Sequence, residues 1–449
     1  PAAPPESPRM IATADDYRWM ARALELAERG LFTTTPNPRV GCVIVRNGEC
    51  VGEGWHVRAG EPHAEVHALA MAGEAARGAT AYVTLEPCAH HGRTPPCADA
   101  LVREGLARVV IACADPNPLV AGQGAARLRA AGIEVQQLAL DHPAALQARE
   151  ILIGFLSRMV RQRPWVRLKV AASLDGRTAL DNGASQWITG PAAREDGQHW
   201  RARASAVLTG IGTVLDDNPR LDVRSLPTPR QPLRVVLDSR WRVPPHAAML
   251  GTPGGVLVVG VAPADEATFL RKAALQAAGA EVMESPASLA APEQVDLAWL
   301  LPELARRGVN ELHVEAGHKL NASMLREGLV DELLVYVAPM VLGDGREMVV
   351  CSPAYLRAHR RLKSPADLGR AVLLQHVVDV LAFLPLQHVH QHEADIGGGQ
   401  RFGQAPGCGQ AGAVLGTRVH RVGMIQCNDH ALALEEGPVD LVGIAGAAQ

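Results

Sequence analysis

His63, Glu65, Cys88 and Cys97 carry the residue types and the spacing for metal-assisted hydrolysis. One imidazole and two thiolates are an ordinary three-ligand set for a catalytic zinc, whose fourth position is left to water. Such a metal lowers the pKa of water towards neutrality. Glu65 stands two residues past the histidine in His63-Ala64-Glu65, and the first cysteine follows a proline in Pro87-Cys88. A carboxylate so placed relays protons rather than binding the metal, the combination needed to remove an amino group hydrolytically from a nitrogen heterocycle. A structural zinc would instead recruit a fourth side chain.

These residues need a rigid frame, and the surrounding pattern supplies one. Tyr17, Met20, Ala21, Leu24 and Leu26 predict an amphipathic helix over Asp15 to Arg29, stopped by Gly30. Strands Val40 to Val45 and Cys50 to Gly54 flank Asn47-Gly48, a strong hairpin signal. A helix should open near His63, a strand run from Ala81 to Leu85, and a second helix open just after Cys97. Strand Val109 to Cys113, helix Gly122 to Ala131 and strand Ile133 to Leu138 then predict a sheet with helices on both faces. The metal ligands would lie where strand ends meet helix starts, and helix amide dipoles there favour thiolates. His67, four residues past His63, could in principle ligate, but an ordinary packed or exposed histidine is favoured.

At 449 residues the chain exceeds one ordinary core, so two domains are expected. A net charge of -3 and the lack of any Lys/Arg block argue against a polynucleotide substrate, while a small phosphorylated ligand needs only a few arginines. Eight cysteines in so long a chain do not suggest a disulfide framework, and Cys42, Cys50 and Cys113 are expected to be buried free thiols. The first nine residues have no apolar core for a signal peptide, and no run approaches the roughly 18 apolar residues of a membrane span. A soluble cytoplasmic protein is expected.

Glu150 to Arg161 reads as a connecting helix closed by Gln162-Arg163-Pro164, and alternation then resumes. Strand Val166 to Ala172 leads to helix Pro191 to Arg203, strands Ala206 to Gly210, Leu233 to Leu237 and Val256 to Gly260, helix Asp265 to Ala278, and strands Leu312 to Glu315 and Glu332 to Val337. Gly210-Ile211-Gly212 lacks the third glycine of a dinucleotide fingerprint, so a Rossmann reading fails on the residues. After about Leu386 the glycine-rich, aperiodic text reads as a weakly ordered tail, and His388, His390 and His392 within it carry no metal reading.

Nucleic-acid and nucleoside deaminases usually separate their two cysteines by two residues, whereas Ala89-His90-His91-Gly92-Arg93-Thr94-Pro95-Pro96 intervenes here. With Thr35-Pro36-Asn37-Pro38-Arg39-Val40-Gly41, Gly54-Trp55-His56, Gly60-Glu61-Pro62-His63 and Asp115-Pro116-Asn117-Pro118, this insert resembles the deaminase half of the bifunctional riboflavin-biosynthesis deaminase/reductases. Leu168-Lys169-Val170, Leu174-Asp175-Gly176-Arg177, Ser185-Gln186-Trp187, Thr213 through Leu221 and Val314-Glu315-Ala316-Gly317 resemble the reductase half, in the same order. The resemblance spans roughly Met10 to Gly345.

The resemblance implies a cytidine-deaminase-like α/β/α sandwich, then a dihydrofolate-reductase-like α/β domain, then the tail. The implied layout is a disordered 1–9, a zinc-dependent deaminase domain at 10–155, a linker at 156–164, an NADPH-dependent reductase domain at 165–385 and the tail at 386–449. It further implies Zn2+ on His63, Cys88 and Cys97 with Glu65 catalytic, and NADPH against Ala171, Trp187, Thr213, Asp217, Ser239, Gly317, His318, Lys319 and Leu320. Asn37, His56, Ser185, Arg201, Leu221, Arg224 and Glu315 would meet a small phosphorylated aminopyrimidine. Guanidinium geometry suits Arg201 and Arg224 to its phosphate. The family usually continues Glu-Ala-Gly with Pro-Thr-Leu, where this chain has His318-Lys319-Leu320. A homo-oligomer, dimer or larger, is implied, with no nucleic acid and no membrane. Two rival readings are a nucleic-acid deaminase and a chain whose second domain only binds nucleotide or is structural.

Overall fold

The computed structural model describes residues 14–89, 96–117, 121–180, 188–288, 291–338, 340–343, 345–347, 418–424 and 439–440. The elements begin α1 (Ala14–Glu28), β1 (Gly41–Arg46), β2 (Glu49–Trp55), α2 (Ala64–Ala72), a 3-10 turn (Gly73–Ala76), β3 (Thr80–Leu85), α3 (Cys97–Arg103) and β4 (Arg108–Cys113). Next come α4 (Gln123–Ala130), β5 (Glu134–Gln137), α5 (Pro143–Ile151), α6 (Ile153–Arg161), β6 (Trp165–Ser173), β7 (Arg177–Leu180), α7 (Pro191–Arg203), β8 (Ala206–Gly210) and α8 (Ile211–Asp217). The rest are β9 (Leu233–Leu237), β10 (Val256–Val261), α9 (Glu266–Ala277), β11 (Glu281–Ser285), α10 (Leu297–Arg306), β12 (Glu311–Val314), α11 (His318–Arg326), β13 (Glu332–Ala338), β14 (Gly345–Glu347), β15 (Arg418–Met424) and β16 (Val439–Asp440). The chain divides into two compact units: residues up to Trp165 with His199–Leu312, and Val166–Gln198 with His313 onwards.

In the first unit a five-stranded sheet runs β2-β1-β3-β4-β5. β1 is antiparallel to both its neighbours, and β3, β4 and β5 are mutually parallel. Asn47 and Gly48 both have positive φ, as the tight β1–β2 hairpin requires. Strand alternation splits the apolar side chains between two cores. Cys42, Ile44, Val109 and Ile111 face α2, α3 and α4, while Val43, Val45, Val110 and Ala112 face α1 and α5. The sheet is thus covered on both faces, which explains why its strands read as unbroken apolar runs.

The same unit holds a parallel ladder β8-β9-β10-β11 over a core that includes Val207, Val236, Val258 and Trp241. The second unit, taken by itself, pairs β6 with β13 and β13 with β15 in parallel, β15 with β16 antiparallel, and β7 with β14 antiparallel. Its β6–β13 register is fixed by an ion pair out of water, Arg167 Nε to Glu332 Oε1 at 2.5 Å, and by Asp331 accepting from the Val166 amide.

Several expectations change in detail. The single connecting helix from Glu150 is two helices: α5 starts at Pro143, where the His142 ring accepts from the Ala144 amide, and Leu152 leaves helical geometry before α6. Cys42 is buried, but Cys113 is half-buried and Cys50 is exposed, the last because it lies among the first residues of the edge strand β2, where the hairpin emerges from the sheet. Helices α8, α10 and α11 were not expected, α8 being only seven residues long. Of the segment 386–449, the described residues are the two strands β15 and β16.

Candidate metal centre and neighbouring sites

Three helix and strand ends deliver the ligand set. His63 is the N-cap of α2, Cys97 is the first residue of α3, and Cys88 lies three residues beyond β3. Their ligand atoms lie within 4.8 Å of one another, the one group of this kind among the described residues. His63 Nδ1 is 3.2 Å from Cys97 Sγ and 3.7 Å from Cys88 Sγ. A tetrahedral zinc, with Zn–N about 2.0 Å and Zn–S about 2.3 Å, needs nitrogen–sulfur separations near 3.5 Å, so the residues fit that ion. The Cys97 amide, at the head of α3, donates to Cys88 Sγ at 3.3 Å, placing a helix N-terminus against the sulfur. Cys88 is pulled down to about 4, first by its contact with Cys97 and then by His63, while Cys97 is pushed up by that contact and by burial.

Glu65 occupies the first turn of α2 and is 3% exposed. Burial pushes its carboxyl above the usual carboxylate range, which suits a group that must both take and return a proton. The helix is brought to this place by close backbone approach. A Cβ at Gly54 would stand 2.3 Å from the Ala64 carbonyl oxygen, so β2 needs glycine there for α2 to seat. Gly124 of α4 likewise faces the Pro87 carbonyl, where a Cβ would lie 1.9 Å away.

His56 and Asn37 complete the described surroundings. His56 Nδ1 donates to the Pro62 carbonyl at 3.1 Å, which leaves Nε2 to accept from Asn37 Nδ2 at 3.0 Å. The His56 ring stands edge-on to His63, with centroids 5.2 Å apart. Burial lowers the His56 pKa, favouring the neutral ring that this pattern requires. His67 is not in the ligand group. His90, His91 and Arg93 lie outside the described residues.

One residue that sequence reasoning missed is Glu86. Its buried carboxylate accepts the amides of Asp115, Gly122 and Ala125, tying the strand end before Pro87-Cys88 to the start of α4. Its place directly before Pro87-Cys88 was the available signal.

Of the residues expected around NADPH, Thr213 and Asp217 lie on α8 and Ser239 follows β9, all in the first unit. In the second unit Ala171 lies on β6, Gly317 is the N-cap of α11 without a side-chain cap, and His318, Lys319 and Leu320 form its first turn. Exposed amides at a helix start suit a diphosphate. Ser185 and Trp187 lie outside the described residues.

On the expected substrate side, Asp222 gathers the arginines. Arg201 Nη1 donates to its carbonyl at 3.2 Å, Arg224 Nη1 to Oδ1 at 2.9 Å, and Arg220 Nη2 lies 2.7 Å from Oδ2. Arg220 was not anticipated. Leu221 is buried with φ 52° inside the core of the β8–β11 ladder, and Glu315 Oε1 lies 3.6 Å from His313 Nε2 in the second unit.

Two family models match the chain: the cytidine and deoxycytidylate deaminase zinc-binding region over residues 13–113, and the RibD C-terminal domain over residues 164–374. The riboflavin biosynthesis protein RibD of Escherichia coli (strain K12) is 50% identical over 346 residues, covering 74% of this chain and 89% of that protein. A solved structure of Acinetobacter baumannii RibD is 48% identical, with a TM-score of 0.68 over 75% of this chain and 91% of that one. A solved diaminohydroxyphosphoribosylaminopyrimidine deaminase/5-amino-6-(5-phosphoribosylamino)uracil reductase from Thermotoga maritima is 33% identical, with a TM-score of 0.64 over 74% of this chain and 89% of that one.

Proposed function

The chain belongs to the RibD family, and from that membership and the geometry of its metal centre we propose how its residues divide the work of a bifunctional riboflavin-biosynthesis enzyme. The protein is a zinc-dependent deaminase and an NADPH-dependent reductase. The substrates are those named for the Thermotoga relative: a diaminohydroxyphosphoribosylaminopyrimidine loses its amino group, and the resulting aminouracil has its ribosyl chain reduced to ribityl. The observation that carries the deaminase assignment is the convergence of His63 Nδ1, Cys88 Sγ and Cys97 Sγ beside a buried Glu65.

Zinc, held by His63, Cys88 and Cys97, supplies Lewis acidity and lowers the pKa of water. Glu65 accepts the proton of the attacking water and returns protons to the ring nitrogen and the departing amine, so that ammonia leaves. Its raised affinity for protons makes that return feasible. Asn37 and His56, linked to each other by a hydrogen bond, orient the pyrimidine. Glu65 is itself almost wholly buried, which limits its exchange of protons with bulk solvent.

NADPH, when bound, would supply the hydride needed to reduce the sugar carbon C1′. The reductase contacts are proposed by carrying the family's pattern onto the matching positions of this chain. Amides from Gly317 through Leu320 are assigned to the diphosphate, and Ala171, Trp187, Thr213, Asp217 and Ser239 to the rest of the cofactor. Arg201 and Arg224 are assigned to the substrate phosphate, a role supported by their shared hold on Asp222, and Ser185, Leu221 and Glu315 to the remaining substrate groups. A reducing cytoplasm and a homo-oligomeric assembly, dimer or larger, complete the reading, the first supported by the paired thiols of the metal centre. No helix among the described residues is long and apolar enough to cross a membrane.

Purified protein with the diaminopyrimidine substrate and NADPH tests the whole. Ammonia should appear first, and loss of nicotinamide absorbance should depend on the deaminated product. Ammonia release without that absorbance loss would refute the reductase assignment, and absorbance loss with no ammonia would refute the deaminase one.

A further inference from the structure

The loop carrying Asn37, between α1 and β1, is fastened to Arg203, Ser205, Asn310 and Glu311 of the same compact unit. Glu311, opening β12, is 1% exposed. Its Oε1 accepts from Arg39 Nη1 at 2.5 Å and its Oε2 from Arg203 Nε at 2.7 Å. A carboxylate taken out of water persists only when paired in this way. Arg39 also donates to the carbonyls of Ile151 at 2.9 Å and Arg203 at 3.2 Å. On the other side of Asn37, the Pro36 carbonyl accepts from Arg158 Nη2 at 2.9 Å and from Asn310 Nδ2 at 3.0 Å. Thr35 Oγ1 lies 2.7 Å from Ser205 Oγ, which itself accepts the amides of Asn310 and Glu311.

Asn37 therefore hangs between two anchors, Thr35-Pro36 and Arg39, while its own side chain reaches away to His56. The cavity among Thr35, Arg39, Phe155, Asn310 and Glu311 measures about 10 Å³. That is room for roughly one water, so the charged cluster houses no organic ligand.

We propose that Arg39 and Glu311 are positioning residues for deamination: the buried ion pair fixes the 34–39 loop so that Asn37 meets His56 and, through it, the pyrimidine. The inference rests on the substrate-side reading of Asn37 given above. An ion pair serving stability alone would affect both activities through the amount of folded protein and would be indifferent to Asn37.

The test uses the full-length, zinc-loaded enzyme and assays the two reactions separately. Arg39→Lys keeps the charge opposite Glu311 but cannot span the three acceptors. It should raise KM for deamination about tenfold with kcat within about threefold, because a displaced contact residue weakens substrate placement. Zinc content and reduction of the supplied deaminated product should not change. Should that variant fail to fold, Thr35→Val removes the hydroxyl that meets Ser205 and leaves the Asn310 and Glu311 amides on Ser205 in place, and a rise in deamination KM of about threefold is expected. Asn37→Ala/Arg39→Lys should be no worse than Asn37→Ala alone, since the first change removes what Arg39 acts through. Fully additive losses, or an unchanged KM in the folded single variants, would overturn the proposal while leaving the reading of Asn37 intact. A wild-type KM for Asn37→Ala would overturn both.

Discussion

Glu65→Gln isolates the proton relay from the metal. The glutamine has nearly the same volume, so the packing of α2 against β2, and with it the placement of His63, should be kept. The ligand group does not include Glu65, so zinc stoichiometry should remain at the wild-type level. What is lost is a buried group whose carboxyl takes and returns protons, and general acid–base catalysis of this kind contributes about 10²- to 10⁴-fold. At roughly 1.4 kcal/mol per decade, the barrier should rise by about 3–5 kcal/mol. The assay is ammonia release under saturating substrate, with zinc measured on the same sample and NADPH oxidation followed on supplied deaminated product as an internal control. The reasoning predicts ammonia release down at least a hundredfold, with zinc and reduction unaltered. Deamination within tenfold of wild type would refute the role of Glu65, and zinc loss would show that the carboxylate supports the metal instead.

Three further outcomes probe the frame. Gly124→Ala should push α4 off the Pro87 carbonyl, costing about 1–3 kcal/mol as an overpacked contact and speeding zinc loss to a chelator; unaltered urea midpoint and metal retention would count against the close approach. Glu332→Ala strands Arg167 without its buried partner and should cost about 3–5 kcal/mol in urea denaturation, whereas an apolar replacement of both residues should recover most of that; a loss under 1 kcal/mol would contradict the burial. Asp222 is held below the ordinary aspartate range because the Arg224 hydrogen bond and the Arg220 charge outweigh the upward push of burial. Its stabilising contribution is complete above the unfolded value of about 3.9 and is lost as pH falls through the lower folded value. Acid titration of stability should be shallower in Asp222→Asn than in wild type, and parallel curves would refute this.

Much of the metal centre was legible because its chemistry is local in the text. His63-Ala64-Glu65 and Pro87-Cys88 mark helix and strand ends, and apolar runs such as Cys42 to Val45 mark a sheet covered on both faces. Cys50 was misread as buried since hydropathy does not tell an edge strand from a central one. The break at Leu152 was hidden by helical pattern on both sides of it. Arg220 escaped notice because an arginine in a turn looks like any solvated charge until its partner, Asp222, is seen to be buried.

The sequence by itself determined the reaction class, since ligand types and a nearby carboxylate follow from residue identity and short spacing. It also determined the alternation of strands and helices, which rests on local periodicity. Only the tertiary structure decided that Glu86 braces the strand end before Cys88 and that Arg39 is held by Glu311, a residue 272 positions away in the chain. Contacts of that range depend on how strands are ordered in the folded unit, and no periodicity along the chain encodes which buried charge will stand opposite which.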